Sequence, residues 1–187
     1  MGHEWTRIHT NKTKMSCAAL FVVAMACGRI WPVECRLFPD GEAAVCELVS
    51  GGELRVPRQL LAHAEFGTEG LSAILVGERI YFVNRAGNTA PALKFDNGPD
   101  YFVEGLARTV KDGKIGFVNT ALEPVVAPVW DFAFPFSNGV AAVCSGCMAA
   151  GGEHQLVTGG KWGYIDKRGK VLVPVRYDRD ELPAMKE

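Results

Sequence analysis

The stretch Gly160-Lys161-Trp162-Gly163-Tyr164-Ile165-Asp166-Lys167-Arg168-Gly169-Lys170-Val171-Leu172-Val173-Pro174-Val175-Arg176-Tyr177-Asp178 decides the fold. Trp162, Tyr164 and Ile165 belong to residue types that fit a pleated, half-buried surface. Asp166-Lys167-Arg168-Gly169 is turn-forming, and Gly169 suits a position with φ > 0. Val171-Leu172-Val173 is the returning strand. Pro174 has no N–H to donate, so regular pairing is expected to stop there. The stretch therefore reads as a β-hairpin.

Upstream, the same pattern recurs twice. Arg79-Ile80-Tyr81-Phe82-Val83-Asn84 and Lys114-Ile115-Gly116-Phe117-Val118-Asn119 both match Lys161-Trp162-Gly163-Tyr164-Ile165-Asp166. Seventeen positions after each basic residue stands an Asp preceded by an aromatic: Phe95-Asp96, Trp130-Asp131 and Tyr177-Asp178. A small-residue segment leads each hairpin: Gly70-Leu71-Ser72-Ala73, Gly105-Leu106-Ala107 and Gly139-Val140-Ala141-Ala142. The leading glycines lie 35 and 34 residues apart. A fixed period of this size marks a repeat array, in which one unit cannot bury its apolar face alone and stacked units share a core. Alternation places Ile80, Phe82, Ile115, Phe117, Trp162 and Tyr164 at equivalent positions, where they are expected to form core ladders. The recurring Asp is expected to bond backbone N–H groups at a turn. One carboxylate per unit is poor calcium chemistry.

These residues resemble the WG-repeat family of bacterial β-rich proteins. Its unit runs Glu-Gly-Leu-Ala, a short strand, Gly-Lys-Trp-Gly-Tyr-Ile-Asp, a turn, and a strand closing on Pro and Tyr-Asp. The resemblance covers Gly70 to Asp178. Trp-Gly is intact only at Trp162-Gly163; the middle unit has Ile115-Gly116 and the first has Ile80-Tyr81. The resemblance implies an all-β tandem array of about three to four β-hairpin or three-stranded repeats. It also implies a binding module rather than an enzyme. Some small exported relatives act as immunity proteins in the periplasm, and the resemblance extends that role here: a stoichiometric inhibitor covering the active site of a secreted bacterial lipase or phospholipase effector.

The expected organisation is a capping repeat over 27–69, repeats over 70–104, 105–138 and 139–178, and a charged, frayed tail over 179–187. In the capping repeat the hairpin shortens to Gly52–Pro57, and Gln59–Glu65 is expected to form a helical turn. In the third repeat, Gly139 to Lys161 spans 22 positions where the other two use nine. The added residues are read as an inserted loop over 145–160. Insertions in repeat proteins map to loops on one face, often the binding face. Met148, Glu153, His154 and Gln155 are the candidate partner-binding residues.

The N-terminus reads as a targeting segment. Arg7, Lys12 and Lys14 precede an apolar run of ten residues from Cys17 to Ala26, too short for a bilayer span. Ala24-Met25-Ala26 supplies small residues for cleavage before Cys27, giving a signal peptide over 1–26. A Cys at that position is also a candidate for lipidation, although Met25 departs from the lipoprotein pattern. A periplasmic location follows, free or membrane-anchored through lipid, with no other membrane contact. The whole chain has 187 residues and a formal net charge of −1. Without the first 26 residues, three basic and one acidic residue fewer, the net becomes −3. No basic footprint for nucleic acid exists.

Six Cys are present. With Cys17 removed and Cys27 lipidated, Cys35, Cys46, Cys144 and Cys147 remain for disulfides in an oxidising compartment. The local pairing, Cys35 with Cys46 and Cys144 with Cys147, is preferred among three connectivities. Cys144-Ser145-Gly146-Cys147 has the spacing of a thiol oxidoreductase. Such a site needs a helix N-terminus to lower a thiol pKa, and the surroundings read as strand and Gly-rich loop. A zinc site using Cys144, Cys147 and His154 lacks a fourth ligand. Only His63 and His154 follow the signal segment. No nucleophile elbow, zinc-protease or phosphate-loop motif occurs. No catalytic residue, metal or cofactor is expected. The competing reading is an envelope-associated structural or ligand-binding repeat protein, holding cell-wall fragments or lipids.

Overall fold

A computed structural model describes residues 29–95, 97–150 and 156–184. The expected signal peptide, Cys27, Asp96, Glu153, His154 and Gln155 lie outside the described residues. The chain is all-β, built from antiparallel strands with small hairpin units. In chain order the elements are β1 (Ile30–Leu37), β2 (Ala43–Val49), β3 (Leu54–Arg55) and the short helix α1 (Arg58–Ala62). Next come β4 (Leu71–Val76), β5 (Arg79–Asn84), β6 (Thr89–Pro91), β7 (Lys94–Phe95) and β8 (Gly98–Pro99). They are followed by β9 (Leu106–Lys111), β10 (Lys114–Asn119), β11 (Pro124–Trp130) and β12 (Phe132–Ala133). The last are β13 (Val140–Ala150), β14 (Leu156–Asp166) and β15 (Val171–Tyr177), with a 3-10 turn over Arg179–Glu181.

Each repeat is a three-stranded meander: β4-β5-β6, β9-β10-β11 and β13-β14-β15. The turn after each central strand is closed by its last residue. Asn84 Oδ1 accepts from the N–H groups of Ala86 and Asn88, Asn119 Oδ1 from Glu123, and Asp166 Oδ1 from Arg168 and Lys170. A side-chain carbonyl that satisfies turn amides is why Asn or Asp serves at this point. The units are chained by their trailing segments. The N–H groups of Phe38, Leu93 and Phe134 donate to the carbonyls of Ala73, Arg108 and Ala142, equivalent positions on the next unit's first strand. β1 accordingly joins β4, so the N-terminal strands extend the first unit's sheet in the order β3-β2-β1-β4-β5-β6.

The core is layered. In the central strands, Ile80 and Phe82 share one face, and Tyr81 and Val83 the other, as strand alternation requires. Ile80 and Phe82 pack with Ala107, Val118 and Leu122 of the second unit. Ile115 and Phe117 pack with Ala141, Val143 and Ile165 of the third. One face of each unit is thus covered by the opposite face of the next. The Ile80/Phe82 and Ile115/Phe117 sets lie in separate layers rather than in one continuous ladder. Trp162 and Tyr164 occupy the same face of the third unit. Trp162 is buried under Phe132 and Phe134, with ring centroids 6.0 and 5.8 Å away. Tyr164 is only half-buried, which corrects the expectation that it lies in the core.

The third strands differ between units. β11 and β15 each carry a bulge: Ile115 and Phe117 oppose Trp130 and Val126, and Trp162 and Tyr164 oppose Tyr177 and Val173. The bulged backbone lies directly over Gly116 and Gly163. A Cβ built on Gly116 falls 2.7 Å from the Pro128 nitrogen, and one on Gly163 falls 2.9 Å from the Pro174 carbonyl carbon. The glycine of the Trp-Gly pair clears space for the neighbouring strand, not for the Trp ring. Pro174 does not end β15, as expected from its missing N–H; it sits inside the bulge, where a ladder donor is dispensable. In the first unit Tyr81 replaces that glycine. Opposite it, β6 pairs regularly and without a bulge, Tyr81 with Pro91 and Val83 with Thr89. Tyr81 is 2% exposed and packs into the N-terminal layer with Cys35, Leu37, Cys46, Leu54, Leu60 and Ile74.

Two further contacts join the layers. Asp100 and Arg108, each 4% exposed, form a two-pronged ion pair, Nη2 to Oδ1 at 2.6 Å and Nε to Oδ2 at 2.8 Å. Arg108 Nη1 also donates to the Ala133 carbonyl at 3.1 Å, so trailing segments of two units meet on one guanidinium. Removal of either partner would strand a buried charge, at about 3–5 kcal/mol. Glu104 accepts from Lys167 Nζ at 2.9 Å and from the Gly139 N–H at 3.0 Å. The hydrogen bond from Lys167 holds the Glu104 carboxyl below its ordinary pKa.

Candidate functional site

The third unit departs from the other two in its first hairpin. β4, β5, β9 and β10 have six residues each, whereas β13 and β14 have eleven each. The segment expected as an inserted loop over 145–160 is mostly paired strand. Register continues outward from Cys144 opposite Trp162, through Cys147 opposite Gly159 and Met148 opposite Thr158, to Ala150 opposite Leu156. The insertion lengthens both strands into a two-stranded ribbon because nothing in it breaks antiparallel pairing. β12 joins β13 only at Val143 and Cys144, and β15 joins β14 only between Trp162 and Ile165. Among the described residues, no other strand pairs with the ribbon's outer edges beyond these points.

An isolated hairpin is marginal in water, so the ribbon's base needs bracing. Three features supply it. Cys144 and Cys147 are joined by a disulfide along β13. Gly146 and Gly160, both at positive φ, lie at its level, and a Cβ on Gly160 would fall 2.6 Å from Cys144 Sγ. Gly160 therefore needs to be glycine both for its backbone and for the sulfur beside it. The third brace comes from the preceding unit. Asp131 Oδ2 accepts the Gly146 N–H at 2.7 Å, while Asp131 Oδ1 accepts Lys114 Nζ at 2.5 Å. The hydrogen bond from Lys114, joined by that from Gly146, holds the Asp131 carboxyl below its ordinary pKa.

The 17-residue spacing between a basic residue and Asp is thus a repeated ion pair. Lys161 and Asp178 make the same contact at 2.9 Å, and its hydrogen bond raises the Lys161 pKa. The expected backbone-bonding role of Asp holds at Asp131, whose acceptor serves the next unit. Among the described residues, the Asp178 carboxylate bonds Lys161 alone. The tail expected to fray over 179–187 begins as a cap. Arg179 lies 5.3 Å from the centroids of both Phe134 and Trp162, and Leu182 packs against the last core layer.

Of the candidate partner-binding residues, Met148 stands 72% exposed on the ribbon. Glu153, His154 and Gln155 belong to the connection outside the described residues. Cys35 and Cys46 form a disulfide across β1 and β2, with Sγ atoms 2.04 Å apart. Cys144 and Cys147 are both buried in a strand, away from any helix N-terminus that would activate a thiol. Among the described residues, no three His, Cys, Asp or Glu side chains converge as a metal set, and no helix is long and apolar enough to cross a membrane. A separate open cleft of about 350 Å³ lies between the N-terminal strands and the first hairpin turn, lined by Glu53, Arg55, Arg58, Asn88 and Thr89 among others. Sequence reasoning missed the Asp100–Arg108 pair, because neither residue recurs with the repeat.

These features define a β-meander repeat protein with one elongated, braced unit. The model of the WG containing repeat family matches residues 115–146 and 162–179. The match falls on the two units that carry the glycine and the bulge, and these units are WG repeats. The unmatched stretch between them, 147–161, includes the outer part of the ribbon, 147–150 and 156–160. Searches of curated proteins and of solved structures returned no match.

Proposed function

We propose that the chain is a non-enzymatic, exported protein-binding module, and that the ribbon over 145–150 and 156–160 is its principal contact element. One observation carries this reading: most of the ribbon lies outside the residues that match the family repeat, its base is held by the Cys144–Cys147 disulfide and by Asp131, and beyond the buried Cys147 it presents the exposed Met148. A stiff two-stranded arm with free edges and an exposed, adaptable Met148 suits recognition of a protein surface. The basic residues Arg7, Lys12 and Lys14 before the apolar run Cys17–Ala26 support a periplasmic location. The concrete role is that of an immunity protein, in which the arm and adjoining face cover the active-site cleft of a secreted lipase or phospholipase effector.

The test is stoichiometric inhibition. Any lipase-type hydrolase encoded beside this protein is assayed on phospholipid vesicles with increasing amounts of the purified chain. Full inhibition near one equivalent is expected, and a chain whose ribbon is cut to the six-residue strand length of the first unit should inhibit at least tenfold more weakly, about 1.4 kcal/mol of lost binding. The absence of any such hydrolase, or undiminished inhibition by the shortened chain, would remove the respective part of the reading. The second reading, a ligand-binding envelope protein, draws support from the exposed Phe95 and Tyr101 rings, 6.3 Å apart. Binding of muropeptides that is lost in Tyr101→Ala would favour it.

A further inference from the structure

The inner face of β1 runs off its core toward the N-terminus. Leu37 and Cys35 are buried, Val33 is half-buried, and Trp31, next on the same face, is 46% exposed. Its cross-strand partner is Leu48. On the opposite face of the same strand pair, Ile30 is 47% exposed and faces Val49. The tip is closed by the N–H of Ser50 donating to the Arg29 carbonyl at 2.9 Å, followed by Gly51 and Gly52, which add no bulk. The side chains of Ile30, Trp31, Leu48 and Val49 make both faces of this end apolar, with Arg29 at its edge and Glu53, paired with Arg55, beside Val49.

The position of the tip in the chain says what it meets. Arg29 stands two residues after Cys27, a leash of at most about 7 Å. The ten residues before Cys27 are the apolar run Cys17–Ala26. We propose that Arg29, Ile30, Trp31, Leu48 and Val49 form a bilayer contact, seated at the boundary of headgroups and acyl chains. This rests on the reading that Cys27 carries a lipid held in the membrane. With so short a leash, the tip lies at the bilayer surface whenever that anchor is in place. Trp is the side chain most at home in that boundary, Ile and Val bury in its apolar half, and Arg29 faces anionic headgroups. The tip belongs to the N-terminal strands, and the ribbon to the last unit of the array. The contact orients the domain as well as holding it.

The test uses the full chain, produced in a bacterial host and labelled with 5-fluorotryptophan. It is reconstituted into vesicles of phosphatidylethanolamine and phosphatidylglycerol carrying a headgroup nitroxide. The Trp31 fluorine resonance is assigned by its loss in Trp31→Phe. In the labelled vesicles it is expected to broaden several-fold more than those of Trp130 and Trp162, and Ile30→Ser with Trp31→Ser should sediment less completely with vesicles while keeping the Cys35–Cys46 bond. If the chain sediments but Trp31 relaxes like Trp162, the contact is overturned and the anchor stands. If the chain fails to sediment, the anchor and the contact both fall. If Trp31 is equally shielded in the detergent-released chain without vesicles, its own N-terminal segment or a second copy covers it, and the bilayer contact is again overturned.

Discussion

The first repeat and the two that follow share spacing, turn chemistry and strand order, yet they solve the space above the central strand in opposite ways. In the second and third units Gly116 and Gly163 admit the bulged backbone of β11 and β15. In the first unit Tyr81 fills that position, β6 pairs without a bulge, and the N-terminal strands supply a layer to receive the ring. One position therefore selects how the third strand runs and whether the unit needs an extra layer. A glycine makes the unit self-covering on that face and stackable. A tyrosine makes it dependent on a cap. This explains why the unit that departs most from Trp-Gly is the one beside the capping strands.

The comparison breaks most sharply at Tyr81. Tyr81→Gly leaves the N-terminal layer without its largest side chain, and no bulged strand is present to fill the space. A loss of about 4 kcal/mol is expected from the cavity and the added backbone freedom. Urea unfolding would measure it, and hydrogen exchange should show β1 and β2 opening before β13 and β14. A loss below about 1 kcal/mol would mean that the capping layer does not depend on the ring.

The reciprocal change is smaller. Gly163→Ala drives a Cβ against the Pro174 carbonyl carbon and the Val175 Cα, both 2.9 Å away and both backbone. Neither can swing aside as a side-chain end would, so β15 must shift. About 2–3 kcal/mol is expected, with Trp162 fluorescence reporting the displacement. The same substitution at Gly116 should cost a similar amount, since its nearest atoms are also backbone. Equal effects at the two sites would sharpen the equivalence of the units; a neutral change at either would show that its bulge is not fixed by the glycine.

The repeat itself was legible because Gly, Asn or Asp and the inward aromatic recur at fixed positions, and each has a local reason to be there. The hairpin turns and the alternating core followed from the same signals. Other features were not legible for physical reasons. The bulge needs two residues of β15 to oppose none on β14, a pairing fact that no single strand announces. Gly163 was visible, but what it makes room for lies ten or more residues away. Cys144-Ser145-Gly146-Cys147-Met148-Ala149-Ala150 is poor in β-branched and aromatic residues and so does not announce a strand, but pairing with β14 overrides that weak preference. The length of the insertion was visible, and so was its place on a single unit. The Lys–Asp spacing was visible as a pattern, while its ion pair depended on strands that bring positions seventeen apart together.

The smallest effect expected separates those two ion pairs. Lys114–Asp131 also holds Gly146 of the next unit, whereas Lys161–Asp178 stands at the end of the array with both side chains half exposed. Asp131→Ala removes two acceptor contacts at a partly buried site, and about 1 kcal/mol is expected. The Gly146 amide should exchange faster while those of the second unit remain unchanged. The pH dependence follows from the direction of the shift. The folded pKa of Asp131 is lowered, so its contribution is present above the unfolded value, about 3.9, and is lost as pH falls through the lower, folded value. The wild-type chain should therefore lose Gly146 protection below about pH 4, and Asp131→Ala should show no such limb. The Lys161 pKa is raised, so its contribution is present below the unfolded lysine value and fades as pH rises through the folded one. An exposed pair of that kind contributes little, and Lys161→Met should leave stability near neutral pH almost unchanged. Matching acid limbs in wild type and Asp131→Ala would show that the two pairs are alike and that the ribbon's brace lies in the disulfide alone.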